Sequence, residues 1–149
     1  MAAALVDEKL FSEFSEAGNE ISINYEKRNY AQNIRAIMAL ADRANQYIDE
    51  QKPWIKAKQP GEYEKVIGIC SLGLNFFRLL VIYLKPVLPS LAEKVEAFLN
   101  IKPLIWEDTK SPLLDHTIEP FKSLMQRIES DQIEAIVTES LNQLPTADQ

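Results

Sequence analysis

The sequence predicts an all-α protein, an antiparallel bundle of about five helices with a proline-rich loop before the last helix. Three observations carry that expectation. Apolar residues recur at three- and four-residue steps over long stretches, the spacing that gathers one face of a helix. Only four glycines occur among 149 residues, too few for a sheet built on many tight turns. The prolines fall between the periodic segments, where a missing amide hydrogen stops a helix. With 46% hydrophobic and 26% charged residues, the composition is that of an ordinary globular chain, and the length suits one domain over 1–149.

Leu10, Phe11, Phe14, Ala17 and Ile21 define the first helix, from about Asp7 to Ser22. The second begins after Asn29, whose side chain is placed to cap the exposed amides, and follows a stripe of Tyr30, Ile34, Ile37, Met38, Ala41, Ala44 and Ile48. It ends near Gln51, because Pro53 disfavours a helical Lys52. Its roughly 23 residues make a rod of about 34 Å. The polar face carries Asn33, Arg35, Asp42, Arg43, Asn45 and Gln46.

A third helix starts after Pro60-Gly61, with Glu62 and Glu64 where acids complement the helix dipole. From Val66 to Leu84 it is apolar on most sides, which predicts a central helix covered by its neighbours. The prolines of LKPVLPS, Leu84 to Ser90, stop it, and Ser90 is placed to cap a fourth helix reaching about Asn100 with Leu91, Val95, Phe98 and Leu99 inward. Periodicity fades over 101–120, read as loop with a short extended pair around Leu104–Trp106 and Thr117–Ile118. Ile133, Ile136, Val137 and Leu141 mark a last helix from about Asp131 to Gln143, ended by Leu144-Pro145.

Several function classes are disfavoured. The N-terminal Ala2 to Val6 lacks the basic start and apolar length of a signal peptide, so the chain reads as cytoplasmic. The apolar run Ile67–Leu84 is interrupted by Ser71, Asn75 and Arg78, which argues against a membrane span and predicts no membrane partner. One cysteine and one histidine leave too few soft ligands for a zinc site. A net charge of -6 opposes general nucleic-acid binding, so any RNA contact must be local. Gly61, Gly68 and Gly73 lack phosphate-loop spacing. His116, without a nucleophile motif, reads as a surface or loop-anchoring residue, and Cys70 reads as a small buried hydrophobe. No catalytic or metal-binding residue is expected.

One pair remains. Pro53-Trp54 stands at a helix exit with Lys56 and Lys58 downstream. Either Trp54 folds back and closes the helix end, or the proline stiffens the turn and holds the indole outward as a platform for an unpaired base, with lysines on phosphates. Arg43 joins Lys56 and Lys58 as a phosphate-contact candidate, each equally readable as a solvated charge.

The runs IMALAD (Ile37–Asp42), ANQYIDEQKPW (Ala44–Trp54) and Ala57-Lys58 closely resemble methionyl-tRNA synthetase. ICSLGLN (Ile69–Asn75), YLKPVLP (Tyr83–Pro89) and PFKSL (Pro120–Leu124) with Arg127-Ile128 continue the resemblance in order. It spans nearly the whole chain and resembles the helical anticodon-binding region of the bacterial type.

The resemblance implies a class I methionine–tRNA ligase as parent, with ATP and zinc held in that enzyme and no cofactor in this segment. The family's catalytic signatures have no counterpart here, so the chain is expected to be a fragment, truncated at its N-terminal side and inactive alone. Pro53 and Trp54 would line the anticodon pocket, the indole against the first anticodon base. An asparagine and an arginine on a preceding helix complete that pocket in the family, and this sequence is expected to begin after them. The implied partners are the anticodon loop of methionine tRNA and the parent's catalytic domain, toward which the family's last helix packs. The competing expectation is a stand-alone helical adaptor that binds a partner protein through an apolar groove.

Overall fold

In the computed structural model, which describes residues 1–125 and 130–143, the most apolar segment forms the axis of the molecule. The helices among the described residues are α1 (Glu8–Glu26), α2 (Tyr30–Gln51), α3 (Pro53–Lys56), α4 (Tyr63–Leu84), α5 (Pro89–Leu99) and α6 (Ser130–Gln143), with a 3₁₀ turn at Trp106–Lys110. No strand occurs among the described residues. Arg127, Ile128, Leu144 and Pro145 lie outside the described residues, as does the side chain of Leu141.

The central helix is α4, which packs against α1, α2, α3, α5 and the 3₁₀ turn. Leu72, Phe76, Leu79 and Tyr83 are fully buried on it, and Phe76 stacks on Phe14 of α1 with ring centroids 4.2 Å apart. By length and composition this helix could cross a membrane, but 67% of the stretch is buried inside the bundle, the burial of a core helix. Its polar residues serve the fold. Arg78 donates to the carbonyls of Asp108 and Ser111, and the Asn75 amide donates to those of Ser71 and Leu113 while its oxygen accepts from the Leu113 N–H.

Several expectations are corrected. The first helix continues past Ser22 to Glu26 because its last turn is held from outside: the Tyr25 hydroxyl donates to the Tyr83 carbonyl at 2.7 Å, and the Asn24 carbonyl accepts the Asn29 N–H at 2.8 Å. Asn29 makes no side-chain cap; its amide turns back to the Asn24 side chain. On α2, Ile37 is buried as expected, but Tyr30, Ile34 and Met38 are exposed while Asn33 is fully buried. The helix is rotated toward Asn33 because its amide satisfies the Ile21 carbonyl of α1 at 2.9 Å.

Ser90 does not cap α5; Leu88 holds that position and Pro89 opens the helix, where no amide hydrogen is needed. Its buried face is Ala92, Val95, Glu96 and Leu99, with Leu91 and Phe98 only half-buried. Glu96 turns inward because its carboxylate accepts from Lys85 at 2.6 Å and from the Leu104 N–H at 2.7 Å. The same contacts abolish the expected extended pair. The amides of Leu104 and Ile105 are spent on the Glu96 and Asp108 carboxylates, and the chain curls into the 3₁₀ turn under Arg78.

Candidate nucleic-acid interface

The end of the α2–α4 hairpin is built around one residue. Lys52 lies in the left-handed region at φ 48°, ψ 57°, a conformation that costs a non-glycine residue roughly 1–2 kcal/mol. Three hydrogen bonds hold it there. Its N–H closes α2 on the Ile48 carbonyl at 2.9 Å, and its carbonyl opens α3 by accepting from the N–H groups of Ile55 and Lys56 at 3.0 and 3.2 Å. Lys52 thus ends one helix and starts the next, and the chain bends between them.

Pro53 is the first residue of α3, where it has no hydrogen bond to lose, and its ring is buried. In a single turn each residue is set about 100° from the last. With Pro53 inward, Trp54 and Ile55 must face out, and they are 50% and 46% exposed. Lys56 returns toward the Pro53 side, half-buried, and its ammonium donates to the Gln51 carbonyl at the end of α2.

Beyond α3 the chain turns through Gly61, at φ 85°, and enters α4 at Tyr63, which is 71% exposed. The two long helices meet where a Cβ on Gly73 would approach Ile48 Cδ1 to 2.9 Å. From Gly73 back to Tyr63 the axis rises about 15 Å, against about 5 Å from Ile48 to the end of α2. The start of α4 therefore extends beyond the end of α2, and α3 packs against α4. Trp54 and Tyr63 flank the connection between the end of α2 and the body of α4. Tyr63 escaped the sequence reading; an aromatic directly after Pro60-Gly61, ahead of the apolar register of α4, was the available signal.

The predicted cations are not equivalent. Lys58 is exposed on the hairpin end. Arg43 lies roughly 12 Å back along α2 from its end and pairs with Glu13 of α1 at 3.1 Å. An open depression along α2, lined by Asp42, Asn45, Gln46, Asp49, Glu50 and Lys52, gives the approach to the tip an acidic side. Such a surface repels a phosphate backbone and leaves aromatic faces as the favourable contact.

Other chemistry finds little support. Among the described residues no three of His, Cys, Asp and Glu gather as metal ligands, so zinc has no fitting set here. The His116 ring meets the Leu99 carbonyl at 2.7 Å, and the His116 carbonyl accepts from the N-terminal ammonium, so it anchors its loop to the end of α5. Cys70 is exposed, correcting the expectation of a buried thiol. Partial burial of the sulfur pushes its pKa up, away from a reactive thiolate. The family model described as the anticodon binding domain of methionyl tRNA ligase matches residues 3–139 of this chain.

Proposed function

The chain belongs to the family of anticodon-binding domains of methionyl-tRNA ligase, and we propose that its α2–α4 hairpin end recognises the anticodon loop of methionine tRNA, with Trp54 stacking on the first anticodon base. The observation that carries this reading is the outward indole: Trp54 is half exposed on a one-turn helix fixed by buried Pro53 and by Lys52. A ring closing the helix end would be buried instead. Stacking of an unpaired base on such a ring contributes about 1–3 kcal/mol.

In this reading α2, about 33 Å long, is the strut that presents the tip, and Lys58 meets a phosphate beside the stacked base. Arg43, engaged by Glu13, contributes little. The chain binds and orients the anticodon, while ATP-dependent joining of methionine to tRNA, with ATP and zinc, belongs to the parent's catalytic domain in the cytoplasm. This segment by itself is inactive in that reaction. In support of that division, the histidine of this segment is engaged with the Leu99 carbonyl at the end of α5.

Titration of the wild type and Trp54→Ala with a methionine-tRNA anticodon stem-loop, at low and moderate salt, tests the proposal. The expected result is wild-type binding that weakens by about 5- to 150-fold in the variant. Equal binding by both proteins removes Trp54 from the contact. Absence of binding by a folded wild type supports the adaptor instead, for which the exposed row of Tyr30, Ile34 and Met38 on α2 supplies an apolar surface.

A further inference from the structure

We propose that Lys56 is a positioning residue that locks the bend between α2 and α3 and so aims the Trp54 ring, leaving the phosphate contact to Lys58. The inference rests on the reading of Trp54 as the stacking platform and adds the means by which that platform is held.

The last carbonyls of a helix have no partner within it, and they carry the negative end of the helix dipole. At the end of α2 the Ile48 carbonyl is taken by the Lys52 N–H. The Gln51 carbonyl receives the Lys56 ammonium, which reaches back across the bend from the far end of α3. A cation at a helix C-terminus is stabilising, and this one comes from the neighbouring element. The contact therefore closes a ring of covalent and hydrogen bonds that contains Lys52, Pro53, Trp54 and Ile55. Within that ring, backbone bonds set the dihedral angles of Lys52 and with them the angle of α3 to α2, buried Pro53 fixes the inward side, and the Lys56 ammonium braces that angle.

An ammonium engaged with a carbonyl under a half-buried chain is poorly placed for a phosphate. Lys58 is exposed after the turn. The two lysines, alike in sequence, are thus assigned different work: one orders the protein, the other meets the ligand.

Lys56→Met and Lys58→Met separate these roles, because each phosphate contact contributes roughly 0.7–0.9 to the slope of log affinity against log salt. Time-resolved fluorescence anisotropy in a Trp106→Phe background, where Trp54 is the remaining indole of two, reads ring mobility without RNA. For Lys56→Met the expected results are a larger sub-nanosecond component of Trp54 motion, stem-loop affinity reduced about threefold or more, and an unchanged salt slope. Lys56→Arg, which keeps a cationic donor, restores both. Lys58→Met lowers the slope by one contact and leaves Trp54 motion unchanged. The proposal is overturned if Lys56→Met lowers the slope with Trp54 motion unaltered, or if it changes neither quantity. Helical circular dichroism equal to wild type confirms that each variant is folded. Should Trp54→Ala bind RNA as well as wild type, the stacking reading fails, while the RNA-free anisotropy still decides whether Lys56 holds the bend.

Discussion

Tyr83 is fully buried at the centre of the bundle, its hydroxyl donating to the Phe14 carbonyl at 2.7 Å, and α1 packs Gly18 against its ring. A Cβ there would lie 3.0 Å from the Tyr83 ring and hydroxyl. Alanine in a helix gains about 1 kcal/mol over glycine, but an immovable buried ring makes overpacking costly, typically about 1–3 kcal/mol. Gly18→Ala is therefore expected to lower stability by about 1 kcal/mol net, seen as an earlier midpoint in urea unfolding; a later midpoint would show that the ring yields. Sequence pattern made the apolar side of α1 legible through Phe11, Phe14 and Ile21 but gave Gly18 no role, since a close approach belongs to two helices at once. Asn33 was misread for a related reason. A lone asparagine in a helix reads as polar face until its partner, the Ile21 carbonyl on another helix, is known.

At the scale of elements, the loop after α5 depends on a side chain more than on its own propensity. Glu96 is buried, paired with a Lys85 side chain that is 31% exposed, and accepts the Leu104 N–H; Lys85 also donates to the Leu104 carbonyl at 2.8 Å. Removing one partner of a buried pair leaves the other uncompensated, though solvent access to Lys85 reduces the effect. Glu96→Ala is expected to cost about 2 kcal/mol in urea unfolding, and Glu96→Gln, which can still accept from Leu104, about half as much. Equal losses would make the charge irrelevant. The 3₁₀ turn nearby was illegible because Trp106–Lys110 takes its form from Arg78 and Glu96 on other elements. By contrast the end of α2 was legible, since proline restricts its predecessor whatever surrounds it. That Pro53 then begins α3 was not, because Lys52 had to adopt a left-handed conformation first.

Over the whole molecule, charge and burial set the response to solvent. With a net charge of -6 and an acidic side to the hairpin end, RNA affinity should come chiefly from stacking, and the salt slope for an anticodon stem-loop is expected to stay below about 2 in magnitude. A steep slope would point to a basic surface elsewhere. Alkali should act on the core. Burial, helped by the Asp7 and Cys70 charges, pushes the Tyr47 pKa up from 10.0 to about 12. The neutral ring is thus the form the fold prefers, so this contribution is intact below about pH 10 and is lost as pH rises through about 12. Tyr47→Phe should lose less stability than wild type between pH 10 and 12, measured as the difference in thermal midpoint; parallel curves would deny Tyr47 that role. By itself the sequence determined the all-α class, the family, the central place of α4 and the stop at Pro53, because periodicity and proline sterics act within one segment. Only the tertiary structure decided that Asn33 and Glu96 turn inward and that residues 104–106 form no strand, because each depends on a carbonyl or amide supplied by another part of the chain.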